Sequence, residues 1–424
     1  MKNFLRMAMR FLSEEQRQAL YRKMARIPAE YFNPGFTVEI AQSKEDLQSA
    51  YKLLHDCYVG IKIIDPQPSG LRCNLFSFLP VATIIVAKID GKVVGTVSAI
   101  KDSVSGLPSD KDFLNENNRL RQQGNVLIEA SALAVAPEYR GEHSVSFLLM
   151  KYLYNYCRNC FRGDYMIGAV HPKAEDFYKA LWKFEKNGEP LQYASLKGAA
   201  AIHISMDLSA EHFDRVIEAF GPADPQKNLG SLILGPDDRF FYPHERTGLA
   251  IHPVITPQLL KYFCLEQKEI WSRMNPQDQQ TLIDIYTTYF GAASMAEFRK
   301  EDIQGGPSKE YRTPVQLPCI AEVSTESNFC EVSDLTSRGC FVIWKEVLPT
   351  VGSTVRLSLR LNRERYFVTG EVAWSNDGHT LHRGRGFGIR FSQAEYALSS
   401  NLQSLLYGPA TASQEGKRLS LVGS

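Results

Sequence analysis

What this 424-residue sequence lacks narrows its class. No apolar run approaches the roughly 20 residues that a membrane-spanning helix needs. The N-terminus has no short apolar core followed by a small-residue cleavage site, so a secretory leader is not expected. An excess of one charge is missing too: 48 Lys and Arg face 47 Asp and Glu, for a formal net charge of +1. A broad basic face for DNA or RNA is therefore not expected. Eight cysteines are unremarkable for this length and read as reduced thiols of a cytoplasmic protein. Cys157 and Cys160 form a lone CxxC in a helical stretch. With no second pair they read as plain thiols, and no metal site is expected. No Ser/His/Asp or Cys/His arrangement suggests a covalent enzyme intermediate.

What is present points to several domains, because one core rarely serves so long a chain. The expected fold class is α+β and multidomain. Residues 1–35 read as an amphipathic helix with Phe4, Ala8, Phe11 and Leu12 on one face and Arg6, Arg10 and Ser13 opposite. Its basic composition fits two readings: a helix docked on the next domain, or one lying at a membrane interface. Residues 36–210 read as a mixed α/β domain in the order strand, helix, hairpin, strand, helix, strand, helix, strand. Its hairpin is "ATIIVAKIDGKVVGTVSAI", turning at Asp90-Gly91. Residues 211–305 read as a helical connecting segment without a chemistry motif, closing in a Gly305-Gly306-Pro307-Ser308 linker. Residues 306–408 read as six short strands of a small β-barrel, and residues 409–424 as a disordered tail.

The informative stretch is "LIEASALAVAPEYRGEHSVSFLLMKYL", Leu127 to Leu153. Its strand carries one acid, Glu129. Alternation puts Glu129 on a face with Ser131 and Leu133, opposite Ile128 and Ala130. A carboxylate there is costly unless paired or hydrated, and burial lifts its pKa toward the range that accepts a proton from an amine. The other reading is a structural acid paired with a nearby arginine. The loop that follows aims free backbone N–H groups at an anion, with Arg140 adding charge and Gly141 allowing close approach.

"Val135-Ala-Pro137-Glu-Tyr-Arg140-Gly141" resembles the V-x-P-x-x-R-G signature of GNAT-fold acyltransferases. Together with "AYKLLHDCYV" and "VHPKAEDFYKALWKFEKNGEP" it is closest to the N-acyl amino acid synthase branch, which is similar to acyl-homoserine-lactone synthases. Those synthases carry E-x-S-R on this strand. Here Glu129-Ala-Ser131-Ala132 lacks the arginine, which leaves the acyl-amino-acid reading. The resemblance implies an acyl-phosphopantetheine donor, no tightly bound cofactor, and an amino acid or small amine as acceptor. It gives Glu129 the role of base and Tyr178 that of proton donor to the leaving thiolate, with core packing as the other reading of Tyr178. It assigns Val135, Arg140 and Gly141 to the donor. The loop keeps only the first glycine of the usual pyrophosphate-binding pattern, which suits acyl carrier protein better than coenzyme A.

"Asp334-Leu-Thr336-Ser-Arg338-Gly339", "GEVAW" and "GFGIRF" resemble a PilZ domain, which implies cyclic di-GMP as a candidate ligand held by Arg312, Asp334, Thr336, Arg338 and Gly339. Thr336 replaces the usual serine, and Ser308 stands where the first arginine of R-x-x-x-R belongs. Bidentate arginine is not replaced in kind by other residues. A barrel kept as an interaction surface is the other reading.

The expected function is transfer of a fatty acyl chain from acyl carrier protein to an amine, regulated by the PilZ barrel. A cytoplasmic location with contact at the inner membrane face fits it. The alternatives are a non-catalytic cyclic di-GMP effector and an acetyl-coenzyme-A-dependent N-acetyltransferase.

Overall fold

The computed structural model describes residues 11–25, 33–103, 105–140, 145–193, 196–221, 229–235, 240, 242, 248–249, 255–290, 292–298, 313–323, 326–336, 338–361, 364–378 and 384–392. The first sheet has seven strands in the order β1-β2-β3-β4-β5-β7-β6. They are β1 (Phe36–Ile40), β2 (Ala82–Ile89), β3 (Lys92–Lys101), β4 (Leu127–Val135), β5 (Tyr165–Val170), β6 (Glu185–Tyr193) and β7 (Ala199–Asp207). The Asp90-Gly91 turn joins β2 to β3 with both φ angles positive, +49° and +80°, as the tight hairpin turn demands. Only β4 and β5 run parallel, and they pair over just three positions, from Leu127↔Tyr165 to Glu129↔Ile167. Beyond Glu129 the two strands part.

Both faces of this sheet are covered. The helices of this half are α1 (Glu14–Met24), α2 (Lys44–Gly60), α3 (Leu75–Phe78), α4 (Asp110–Gln122), α5 (Ser146–Asn155) and α6 (Glu175–Trp182). One face packs on α5 and α6 through Ile128, Leu148, Tyr152 and Trp182. The other packs on α2 and α3 through Leu47, Tyr51 and Phe78. The connecting segment begins with α7 (Ala210–Ala219) and α8 (Leu229–Leu234), then α9 (Pro257–Lys261), α10 (Lys268–Arg273) and α11 (Pro276–Phe290). The last three join the second face: Leu260, Trp271 and Tyr286, with Phe263 from the turn after α9, lie in the same core as Tyr51 and Phe78, and the Tyr286 hydroxyl donates to Phe78 O at 2.8 Å. This segment is part of the α/β core.

The six expected barrel strands are all present: β9 (Thr313–Val323), β10 (Glu326–Leu335), β11 (Gly339–Ile343), β12 (Thr354–Leu361), β13 (Glu364–Asn376) and β14 (Gly386–Phe391). The barrel closes because β9 pairs with both β12 and β10. A two-residue strand, β8 (Gly248–Leu249), adds to β9 from the connecting segment.

Two elements depart from the expected order. Helix α4 has only two apolar side chains in its buried set, Phe113 and Leu120; the rest are polar, so its helical stripe is faint. Strand β6 contains Gly188 and Pro190, which read as breakers but are tolerated at a sheet edge. Helix α1 docks on α6, with Arg17 Nε 2.7 Å from Asp176 Oδ2 and the Tyr21 ring edge-on to Phe177. Phe4 and Ala8, and with them most of the expected apolar face, lie outside the described residues, as do the 299–312 linker and the tail. The CxxC pair sits on a π-helical turn, with Cys157 buried. Among the described residues no group of acidic, His or Cys side chains is placed to hold a metal, and no helix is long and apolar enough to cross a membrane.

The barrel rests on the C-terminal end of α4. Arg385 N donates to Arg121 O at 2.8 Å, and Gln316 Nε2 to Phe161 O at 2.9 Å. Gly378, at φ +93°, sits so close that a Cβ there would lie 2.6 Å from Gln122 Cα. Arg121 is fully buried. All five of its guanidinium N–H groups are used: Nε and Nη2 on Asp102 at 2.6 and 3.0 Å, Nη1 and Nη2 on Asp110 at 2.8 Å each, and Nη1 on Asn118 at 2.9 Å. Arg121→Met would leave two buried carboxylates without their cation. Loss of about 3–5 kcal/mol of stability is expected, read as a lower urea midpoint; a loss under about 1 kcal/mol would mean that the network is not a stabilising one.

Candidate active site at the strand splay

Glu129 is the last β4 residue paired with β5, and only 2% of its surface is exposed. Among the described residues no cation contacts its carboxylate; Oε2 accepts the backbone N–H of Ser109 at 2.9 Å. Burial pushes its pKa up to about 7, and the Asp110 charge adds to this, while the Ser109 hydrogen bonds and the more distant Arg121 pull it down. The carboxyl therefore changes charge near neutrality, as a base for an amine must. Ser109 is itself held in place. Asn117 Nδ2 donates to Ser109 Oγ at 2.9 Å and to Asp110 Oδ1 at 2.8 Å, and His203 Nε2 lies 2.9 Å from Asn117 Oδ1. Burial pushes the His203 pKa down to about 4, so the ring is neutral and serves as a fixed donor.

Strand β4 does not alternate throughout. Thr96 pairs with Ala134, but Ser98 pairs with Ser131, so Ala132 and Leu133 together stand opposite Val97. Ala132 takes φ +56° to make this bulge. The extra residue reverses the faces beyond it. Leu133 packs with Ile128 and Ala130 rather than sharing the Glu129 face, which corrects the alternation expected from sequence. Nothing in A-S-A-L-A marks the bulge, because the residue at the left-handed position is alanine and not glycine.

Parting of β4 and β5 opens an apolar cleft of about 350 Å³. Glu129 to Leu133 form one wall and Gly168 to His171 the other, with Met150, Phe184, Ile204, Tyr58, Tyr178 and Tyr193 also lining it. Tyr178 is thus brought to the cleft that holds Glu129. Its ring packs on Trp182 and Phe184, so the core-packing reading is met as well. Burial raises its pKa to about 12, which keeps the phenol protonated.

The loop residues divide. Val135 ends β4 and is buried. Arg140 folds back on that end, with Nε on Val135 O at 2.6 Å and Nη2 on Cys57 Sγ at 2.9 Å. Gly141 lies outside the described residues.

In the barrel, the expected nucleotide turn is closed on itself. The Thr336 hydroxyl donates to Gly339 O at 3.1 Å and accepts the Arg338 N–H at 3.1 Å. Asp334 is buried and Arg338 is exposed. Gly339 has no room for a side chain, since a Cβ would come within 2.1 Å of Ile389 O. Arg312 lies outside the described residues.

Residues 49–207 match the family of the N-acyl amino acid synthase FeeM, and residues 308–408 match the PilZ domain. Among solved structures, the chain is similar to FeeM, an N-acyl amino acid synthase from uncultured soil microbes, at 23% identity over 43% of this chain and 96% of that one, with a TM-score of 0.38. It is similar to the AHL synthase LasI at 16% identity over 43% and 95%, TM-score 0.34. The CoA-dependent acyl-homoserine lactone synthase BjaI matches at 13% over 44% and 90%, TM-score 0.34. No curated protein matches the chain. By these matches residues 49–207 are similar to the FeeM family of N-acyl amino acid synthases, and residues 308–408 to the PilZ domain.

Proposed function

We propose that this protein transfers a fatty acyl chain from a phosphopantetheine thioester to the amine of an amino acid or related small amine, under control of its PilZ barrel. The observation that carries the reading is Glu129: a buried carboxyl, poised near neutrality, where an apolar cleft opens between β4 and β5. In the proposed reaction the acyl chain lies in the cleft with its thioester at the splay. The neutral amine attacks the carbonyl carbon, Glu129 takes the amine proton, and backbone N–H groups at the Ala132 bulge polarise the carbonyl oxygen. The C–S bond then breaks, and the thiolate takes the Tyr178 proton to leave as a thiol. Nitrogen gains the acyl group directly, without an acyl-enzyme.

Acyl carrier protein is the donor that the loop favours. Arg140 is committed to Val135 O and Cys57 and is poorly placed to meet a coenzyme A pyrophosphate. The lipid-like product fits work at the inner membrane face of the cytoplasm. Regulation would run along α4. The barrel grips residues 121–125 at its C-terminal end, and its N-terminal end presents the Ser109 N–H to Glu129. Cyclic di-GMP is the proposed signal, with Arg338 and Arg312 as its cationic contacts.

Lipids extracted from cells producing the wild type should contain new N-acyl amines that disappear with Glu129→Gln. In vitro that variant should lose about 10²-fold or more in turnover. The wild-type rate should fall more steeply as pH drops below about 7, because the raised pKa leaves Glu129 protonated there and unable to accept a proton; Glu129→Gln should lose this added steepness and keep only the fall that protonation of the amine causes. Equal turnover by the variant would remove Glu129 from the mechanism.

Acyl carrier protein should give the higher kcat/KM of two matched donors, and preference for acyl coenzyme A side by side would reverse that assignment. Calorimetry should give micromolar binding of cyclic di-GMP, about 10- to 100-fold weaker than a complete R-x-x-x-R domain, since one bidentate contact is worth about 1–3 kcal/mol. Gly378→Ala should push the barrel off α4 and abolish any nucleotide effect on turnover. No heat at near-millimolar nucleotide would leave the barrel as a protein-binding surface.

A further inference from the structure

A second cavity, of about 720 Å³, adjoins the apolar cleft and shares Tyr58, Ser131, Ala132, Tyr193 and Leu196 with it. Its character is different. Arg72, Ser77, Ser98, Ser105, Asp110 and Lys111 reach it from the α/β domain, and Asn275, Gln277 and Asp278 wall it from the start of α11. That last wall lies outside both family matches, which end at 207 and resume at 308.

Arg72 is the group here without an explanation. It is partly buried, and its guanidinium stands 5.5 Å from the Tyr58 ring centroid. Among the described residues no carboxylate pairs with it. Burial alone presses its pKa down, and the groups that oppose this are only Tyr58 and Cys73. The other charges of the cavity are accounted for: Asp110 is held by Arg121 and Asn117, Asp278 Oδ2 accepts the Asn275 amide, and Lys111 is exposed. A half-desolvated guanidinium with no internal anion is costly unless a ligand supplies one. A second unmet group faces the same space: Ser105 Oγ is buried without a hydrogen-bond partner among the described residues.

We propose that this cavity is the acceptor subsite and that Arg72 holds the acceptor's carboxylate, with the 275–278 segment closing the far wall. The assignment rests on the acyltransfer reading given above. An amino acid with its carboxylate on the Arg72 guanidinium carries its amine on the adjacent carbon, and the Ser131–Ala132 edge shared by the two cavities is where that amine can turn toward Glu129. Arg72 then sets specificity and takes no part in proton transfer.

The test pairs each of several amino acids with the amine formed by its decarboxylation, all with one acyl donor. For the wild type, kcat/KM should favour the amino acid of a pair. In Arg72→Met that ratio should fall about 10- to 100-fold, the scale of losing a charge-assisted bidentate contact. Arg72→Lys should fall between, because it keeps the charge and loses the fork. An unchanged ratio in Arg72→Met overturns the assignment. Calorimetry with the amino acids alone separates this from the chemistry. If no acceptor is acylated, the transfer reading fails, while heat seen with the wild type and absent in Arg72→Met still places the carboxylate on Arg72. Equal heats in both proteins overturn the subsite whatever the turnover.

Discussion

The buried guanidinium of Arg121 is the constraint on which much of this molecule depends. A side chain with five donors and no exposure must find five acceptors, and it finds them on Asp102, Asp110 and Asn118. Asp102 follows the end of β3, Asp110 begins α4 and Arg121 lies near the end of α4. One cation thus fixes a strand end and both ends of a helix. The carbonyl of the same residue accepts the barrel's Arg385 N–H, and the residue before Asp110 presents its N–H to Glu129. Buried ion groups are a poor way to gain stability, but they are an exacting way to fix geometry. Here the geometry fixed is that of a carboxylate otherwise alone in an apolar strand.

The splay and the bulge are two separate breaks in one sheet, and the site needs both. Loss of β4–β5 pairing after Glu129 makes room between strands, while the Ala132 bulge turns the backbone that faces that room. Neither break can be replaced by a loop, because the walls of the cleft must stay ordered while the middle of the sheet stays empty. The cost is a non-glycine residue in the left-handed region, a strain of order 1–3 kcal/mol that the surrounding sheet must hold.

Much of this was legible in the sequence, and the gaps have physical causes. The Asp90-Gly91 hairpin, the β4 strand, the helix after it and the six barrel strands were all visible, since each has a strong period or an obligatory turn residue. Glu129 was visible as an acid out of place. Helix α4 was not, because its buried face is made of Asp, Asn and Arg, and hydrophobic periodicity cannot detect a face that is buried through hydrogen bonds. The partners of Glu129 were hidden with it: Ser109 acts through its backbone N–H, which has no sequence signature. Arg72 carried no motif either, and only its isolation in space distinguishes it from an ordinary surface arginine.

The second face of the first sheet is finished late in the chain. Its strands and α2 are complete by residue 207, yet the core around Tyr51 and Phe78 is closed by Phe263, Trp271, Tyr286 and Phe298. During synthesis the α/β unit therefore emerges with the core on that face only partly covered, by α2 and α3, and it remains so until about fifty to ninety more residues have left the ribosome. At the usual rate of about 5–20 residues per second this is an interval of roughly 3 to 18 seconds. In that interval the nascent sheet is open to other apolar surfaces, chaperones among them. A chain ended after β7 would leave that core open beside Tyr51 and Phe78, so the stretch between the two domains acts as a delayed lid on the fold.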